Sequence, residues 1–304
     1  MKKYTKLVLG LLSLLLIAGL TACSSFASKQ EGNEIITAKE AIDMVNNGEA
    51  ILVDAQNSEG YMFQHIDNAI SISRSDITIS EPVSNMLAPK ETIQAVLEDR
   101  GITNDDTLVV YDSNNNMDSA RLWWTLKVYG FDNVKVVSGG KAAMLEAGAV
   151  NGKNVLELEK STVTLTDADT SMIATMDDVL DQVNDPEMSV RLIDTRSLEE
   201  YEEGTIPSST RIEYLENNNE DGTYKTVTEI QTKYLDQGII PETEAILYCK
   251  TSIRGAQTYL ALYNAGYTNL KLYDGAWVEW SSYDTNPIEV SEKAEVDVTP
   301  VDAS

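Results

Sequence analysis

Seven consecutive residues, Cys249-Lys250-Thr251-Ser252-Ile253-Arg254-Gly255, put a nucleophile and two cations into one short loop. The cysteine closes the apolar run Ala245-Ile246-Leu247-Tyr248, and the loop leads into the helical pattern Ala256-Gln257-Thr258-Tyr259-Leu260-Ala261-Leu262-Tyr263. The sulfur is therefore expected at the carboxyl end of a strand and under the amino terminus of a helix. There, free N–H groups and the positive end of the helix dipole favour thiolate over thiol. A loop of this length can also turn several N–H groups onto an anion carried by the sulfur. Lys250 and Arg254 add positive charge beside an anionic substrate, with a solvated side chain as the simpler reading of each.

The elements that must position this loop occur twice. Thr37-Ala38-Lys39-Glu40 and Thr175-Met176-Asp177-Asp178 each set a capping threonine three residues before a carboxylate. Each leads to a buried strand ending in aspartate, Ala50-Ile51-Leu52-Val53-Asp54 and Val190-Arg191-Leu192-Ile193-Asp194. Leu108-Val109-Val110-Tyr111-Asp112 then matches Ala245-Ile246-Leu247-Tyr248-Cys249, and a helix follows each. The order implies a duplicated α/β domain, a parallel sheet with helices on both faces and sites beyond the strands' carboxyl ends. Asp112 stands in the first copy where Cys249 stands in the second.

At the amino end, basic residues precede an apolar stretch from Leu7 to Leu20 and then Leu20-Thr21-Ala22-Cys23. The stretch is short for a membrane span. It reads as an export signal over residues 1–22, and the small residues before Cys23 suit a bacterial lipoprotein site at which that cysteine is acylated. An ordinary cleaved signal is the alternative. A tether over 23–34 would follow, and the protein is expected at a membrane, lipid-anchored on the extracytoplasmic side. The chain has two cysteines, so lipid on Cys23 leaves Cys249 as a lone thiol with no internal partner. On an oxidising side of a membrane such a thiol points to reactivity, against the plainer reading of a small buried hydrophobe. The formal charge of −26 disfavours nucleic acid and anionic headgroups as partners, since binding them takes clustered Lys and Arg that the chain does not supply.

In the second half Leu192-Ile193-Asp194-Thr195-Arg196, Tyr201-Glu202-Glu203-Gly204-Thr205-Ile206-Pro207, Asp221-Gly222-Thr223-Tyr224-Lys225, the cysteine loop and Leu272-Tyr273-Asp274-Gly275-Ala276-Trp277-Val278-Glu279-Trp280 together resemble a tandem-domain rhodanese, of the thiosulfate and mercaptopyruvate sulfurtransferase type. In the first half Val53-Asp54, His65-Ile66, Tyr111-Asp112, Ala120-Arg121-Leu122-Trp123-Trp124 and Ser138-Gly139-Gly140 look like that family's non-catalytic domain. The resemblance implies two tandem domains, the non-catalytic one at 35–150 and the catalytic one at 172–288; the polar, β-prone stretch at 151–171 reads as a connector between them, and the acidic stretch at 289–304 as a tail expected to be disordered. The resemblance also implies that Cys249 takes up a sulfane sulfur as a persulfide and passes it to cyanide or a thiol. Lys250, Thr251, Ser252, Ile253, Arg254 and Arg196 would bind the substrate, with no metal or cofactor, in a monomer. Two positions depart from the family: Glu200 stands where members acting on thiosulfate often carry arginine, and Thr205 where histidine is usual. A carboxylate at 200 would repel an oxyanion by a few kcal/mol if desolvated.

Other readings are weaker. Four residues separate Cys249 from Arg254, one fewer than a cysteine phosphatase or arsenate reductase uses to ring a tetrahedral anion. His65 is the only histidine and lies in the other half, which disfavours a Cys-His hydrolase and a zinc site. Asp112 to Asp118 and Asn217 to Glu229 begin like calcium loops but lack, respectively, the turn glycine and the correctly spaced glutamate. Trp277 and Trp280 read as core and site-wall residues. The competitor from another class is an anchored protein that holds a persulfide for a partner without free turnover.

Overall fold

The structure is a computed structural model that describes residues 32–290. The proposed signal, Cys23 and the tail beyond 290 lie outside the described residues. In the first half β1 (Ile35–Ile36), β2 (Ile51–Asp54), β4 (Ile70–Ser71), β7 (Leu108–Tyr111) and β8 (Val134–Val137) form a parallel sheet in the order β1-β8-β7-β2-β4. Two small antiparallel pairs accompany it, β3 (His65–Ile66) with β9 (Asn151–Gly152) and β5 (Thr78–Ile79) with β6 (Met86–Leu87). In the second half β10 (Ile173–Ala174), β11 (Val190–Asp194), β12 (Thr210–Arg211), β13 (Glu244–Tyr248) and β14 (Leu270–Tyr273) form a sheet ordered β10-β14-β13-β11-β12. The two sheets agree strand for strand, as the duplicated sequence requires.

Local chemistry explains the elements. Both threonine caps form, Thr37 with Glu40 and Thr175 with Asp178, each hydroxyl and carboxylate satisfying the other's backbone N–H. β7 and the Ala245–Tyr248 part of β13 are buried throughout, because helices cover both faces of a parallel sheet. Helix Met117–Val128 follows β7 and helix Ile253–Asn264 follows β13. Both are buried nearly all round, which a helix tolerates only when it lies between two layers. They pack on each other, with the Trp123 ring 5.2 Å from Tyr263 and 6.2 Å from Tyr259. One hydrophobic cluster therefore runs through both halves, from Val53 and Trp124 to Tyr259 and Leu272.

A polar seam borders this shared core. Asn116 Nδ2 donates to the Gly222 carbonyl (2.8 Å), Asn218 Nδ2 to the Asn115 carbonyl (3.4 Å) and the Tyr224 N–H to Ser138 Oγ (2.8 Å). Satisfied buried amides of this kind fix one register between the halves, since any slip would orphan them.

The connector and both ends are more integrated than the sequence suggests. Residues 153–169 form no strand, yet Val163 and Leu165 are buried in the core and Thr166 N–H donates to the Tyr129 carbonyl (3.0 Å). Glu34, expected in the tether, accepts from Trp123 Nε1 (2.9 Å), and its N–H donates to Asn264 Oδ1 (3.1 Å). Glu289, expected to open a disordered tail, exchanges two backbone hydrogen bonds with Thr205 (2.8 and 2.9 Å) and accepts from Ser208 N–H through its carboxylate (3.0 Å). The tail reading is corrected at that residue: acidity alone does not loosen a segment whose backbone finds a bridge partner.

Candidate active site

Cys249 sits at the carboxyl end of β13 and just ahead of helix Ile253–Asn264. Ser252 caps that helix in the left-handed region, φ 63°, which curls the loop back over the strand end. Among the described residues, the backbone N–H groups of Lys250, Thr251, Ser252, Ile253, Arg254 and Gly255 have no acceptor. On the other side the Cys249 and Lys250 carbonyls are engaged, by the N–H groups of Trp277 and Val278 respectively, both at 3.0 Å. The loop is thus tied down by its acceptors and keeps its donors unused, the pattern of an anion cradle.

Cys249 is 1 % exposed, but its neighbours are polar. Arg254 lies close enough to couple electrostatically to the sulfur, and its two terminal nitrogens donate to the Glu200 carboxylate at 2.5 and 2.8 Å. Burial works against the Arg254 charge, and Glu200 together with Cys249 outweighs it and holds the guanidinium protonated. Hydrogen bonding from Arg254 in turn holds Glu200 down at about 2. Tyr214 closes another side. Burial holds its hydroxyl above the ordinary range, with the charge of Arg254 pulling the other way. Lys250 is exposed, Thr251 half-buried and Ile253 buried.

Beneath the loop, Asp194 at the end of β11 organises a buried brace. It accepts from Arg196 Nε (2.9 Å) and Nη2 (2.6 Å) and from Thr205 Oγ1 (2.9 Å). Thr205 also meets the Tyr248 hydroxyl at 2.7 Å. Arg196 donates further to the Gly204 carbonyl (2.7 Å) and lies 4.4 Å over the Trp277 ring. A planar cation held by a carboxylate and an aromatic face fixes the strand ends on which the loop stands.

The first half carries the same construction with its cradle filled. The Asp112 carboxylate accepts from Asn114 N–H (2.8 Å), Asn116 N–H (3.1 Å), Ser119 N–H (2.8 Å) and Ser119 Oγ (2.9 Å). Burial pushes the Asp112 carboxyl up, against the pull of those donors. This loop has one more residue before its left-handed cap, Asn116 at φ 63°. Lys141 N–H donates to Asp112 O (2.7 Å) just as Trp277 N–H does to Cys249 O, with Gly140 and Ala276 at φ 53° and 54°. A Cβ on Gly140 would fall 2.2 Å from the Asp112 carbonyl oxygen, so glycine is needed there.

A family model described as "Rhodanese-like domain" matches residues 37–147 and again 175–283, the two sheets with their loops. The chain belongs to the rhodanese family. A Mycolicibacterium smegmatis protein that carries the provisional name thiosulfate sulfurtransferase is 29 % identical over 254 residues, covering 77 % of this chain and 89 % of that one. A similarly named Mycobacterium bovis protein is 30 % identical over 253 residues with the same coverage. The sulfur carrier protein TtuD of Thermus thermophilus is 29 % identical over 231 residues, covering 70 % of this chain and 81 % of that one. Among solved structures, wild-type EanB superposes with a TM-score of 0.76 at 22 % identity, over 90 % of this chain and 73 % of that one. An EanB variant bearing a cysteine persulfide with ergothioneine gives the same TM-score and identity, over 88 % and 73 %. At that identity the likeness is one of fold.

Within this rhodanese the residues expected to bind substrate fall into two groups. Cys249, Lys250, Thr251, Ser252, Ile253 and Arg254 form one loop as the spacing predicts. Arg196 is 2 % exposed and spends its donors on Asp194 and Gly204, beneath the loop. Trp280 is fully buried and Trp277 packs against the Val179 and Leu192 cluster. The sequence reading did not single out Arg121, Asp274 and Tyr214 as site residues. Only Arg121 carried a local signal, a charge inside the apolar stretch Ala120-Arg121-Leu122-Trp123-Trp124, which demands a buried partner.

Proposed function

We propose that this rhodanese is a sulfurtransferase in which Cys249 carries the sulfur as a persulfide. The observation that carries the reading is the unfilled row of loop N–H groups beside Cys249, in a site whose first-half counterpart already holds an anion, the Asp112 carboxylate. In the first step the Cys249 thiolate attacks the outer, sulfane sulfur of a donor. The Sγ–S bond forms as the donor's S–S bond breaks, and the leaving group, sulfite from thiosulfate or a thiolate from a persulfide, departs with the electron pair. In the second step cyanide or a thiolate attacks the outer sulfur of the persulfide, giving thiocyanate or a new persulfide and returning the Cys249 thiolate. The loop N–H groups stabilise the terminal sulfur anion between the steps.

Thiosulfate, a related thiosulfonate and a small-molecule persulfide all fit this chemistry. The Glu200–Arg254 pair weighs against thiosulfate, since it occupies the cation that would meet a sulfonate. The test is thiocyanate formation from thiosulfate or a thiosulfonate plus cyanide, compared between wild type and Cys249→Ser, with mass spectrometry of the isolated protein for an extra sulfur on Cys249. Full turnover by Cys249→Ser excludes Cys249 as the nucleophile.

We further propose that residues 1–22 are a lipoprotein signal and that Cys23 holds the protein to the extracytoplasmic face of a membrane; the support is the basic, apolar and Leu20-Thr21-Ala22-Cys23 order. Among the described residues no helix is long and apolar enough to cross a membrane. Fatty-acid labelling should be lost in Cys23→Ala, and label retained by that variant would end the anchor reading.

A further inference from the structure

We infer that Arg121, a residue of the first, cysteine-free domain, is a positioning residue for the catalytic loop of the second. Its side chain is fully buried and crosses between the halves. Nη1 donates to Ser252 Oγ at 2.8 Å, and Nη2 donates to the Asn85 carbonyl at 3.1 Å and pairs with Asp274 Oδ1 at 2.8 Å. The guanidinium lies 4.6 Å over the Trp124 ring, so its plane is set by its own domain. Asp274, in the loop after β14, also accepts from Leu87 N–H (2.7 Å) and lies 3.3 Å from Ser252 Oγ. The Ser252 hydroxyl donates to the Thr251 carbonyl at 2.7 Å.

Ser252 is the residue on which the loop turns. It is a serine with φ 63°, a conformation disfavoured for any residue with a Cβ, and it caps the helix above Cys249. Arg121 and Asp274, themselves held by Asn85 and Leu87 of the β5–β6 hairpin, hold its hydroxyl from the far side, and so hold the curl that leaves six N–H groups free. A planar fork can do this for Ser252, Asn85 and Asp274 at once; a lysine ammonium on a flexible stem cannot. The first domain thus takes part in sulfur transfer through the shape of a loop it does not contain.

The inference rests on the Cys249 reading, and the test separates the two. A double-mutant cycle in the full-length protein combines Arg121→Gln with Ser252→Ala, and follows both sulfur transfer and the rate of Cys249 alkylation by iodoacetamide. Each single variant should lower kcat by about 10- to 100-fold with the donor KM within about twofold of wild type, because geometry and not binding is lost. The double variant should be no slower than the slower single one. Arg121→Lys should recover only part of the rate. If Arg121→Gln does not fold, Arg121→Lys takes its place in the cycle. Additive losses, or wild-type kcat and alkylation in either single variant, overturn the inference. Absence of transfer by wild type itself would sink the sulfurtransferase reading, while the alkylation cycle would still decide the role of Arg121.

Discussion

Asp112 and Cys249 occupy the same place in two copies of one fold, at the ends of β7 and β13 and under the starts of two helices that pack together. In the first copy a carboxylate, tethered by its own backbone, accepts from two loop N–H groups and from both donors of Ser119. In the second the corresponding side chain ends in sulfur and the N–H groups of the loop are unspent. The residue five or six places on is inverted as well: Asp118 pairs with Arg74 at 2.5 Å, whereas Arg254 pairs with Glu200 at 2.5 Å. The contrast shows the same cradle of N–H groups in both halves, filled in the first by the carboxylate of Asp112 and left open in the second beside Cys249.

The sharpest way to break the comparison is to remove the sulfur. Cys249→Ser should cut sulfur transfer by about 1,000-fold or more while leaving the melting transition in place, since a hydroxyl cannot carry the persulfide. Asp112→Cys tests the other side. It should leave four donors, the Asn114, Asn116 and Ser119 N–H groups and the Ser119 hydroxyl, without their acceptor and destabilise the protein by about 2 kcal/mol, measured by denaturant unfolding. It should not create a second working site, because Asp118 brings negative charge where Arg254 brings positive; a second thiol that gains sulfur and turns over would refute the asymmetry. Glu200→Gln releases Arg254, and should raise kcat/KM for thiosulfate by about tenfold relative to an uncharged sulfane donor, in proportion to the restored cation.

The smallest effect is on acid stability. Glu200 is held at about 2 in the folded protein, below the ordinary carboxylate value of 4.5. Its contribution is therefore complete above pH 4.5 and is lost as pH falls toward 2, when the carboxylate protonates and releases Arg254. Because the pair is partly exposed, the wild type should lose only about 1 kcal/mol more than Glu200→Gln across that window, read from urea midpoints. Equal losses in both proteins would show that the pair adds nothing to stability.

Much of this was legible beforehand because it depends on short-range order. A buried strand, a loop of fixed length and a helix start are each written in a few adjacent residues, so the duplicated α/β architecture and the Cys249 loop could be read from pattern and spacing. Thr205 could be seen only as a departure from the histidine that the resemblance leads one to expect, and its bridge between Asp194 and Tyr248 inside the brace is a fact of the tertiary structure. Arg196 was harder: an arginine near a site suggests substrate, and only its bonds to Asp194 and Gly204 place it beneath the loop. Glu200 could be seen as a departure, but its pairing with Arg254 spans 54 positions and leaves no trace in spacing.

The sequence by itself determined which thiol sits at the helix start, how many residues curl around it and that the domain occurs twice, because backbone hydrogen bonding and hydrophobic period act over a few residues. Only the tertiary structure decided that the first cradle is filled by Asp112, that Glu200 occupies Arg254, and that Arg121 reaches Ser252 from 131 positions away. Buried charges choose partners by proximity in space, and that proximity exists only once the two halves have closed on a shared core.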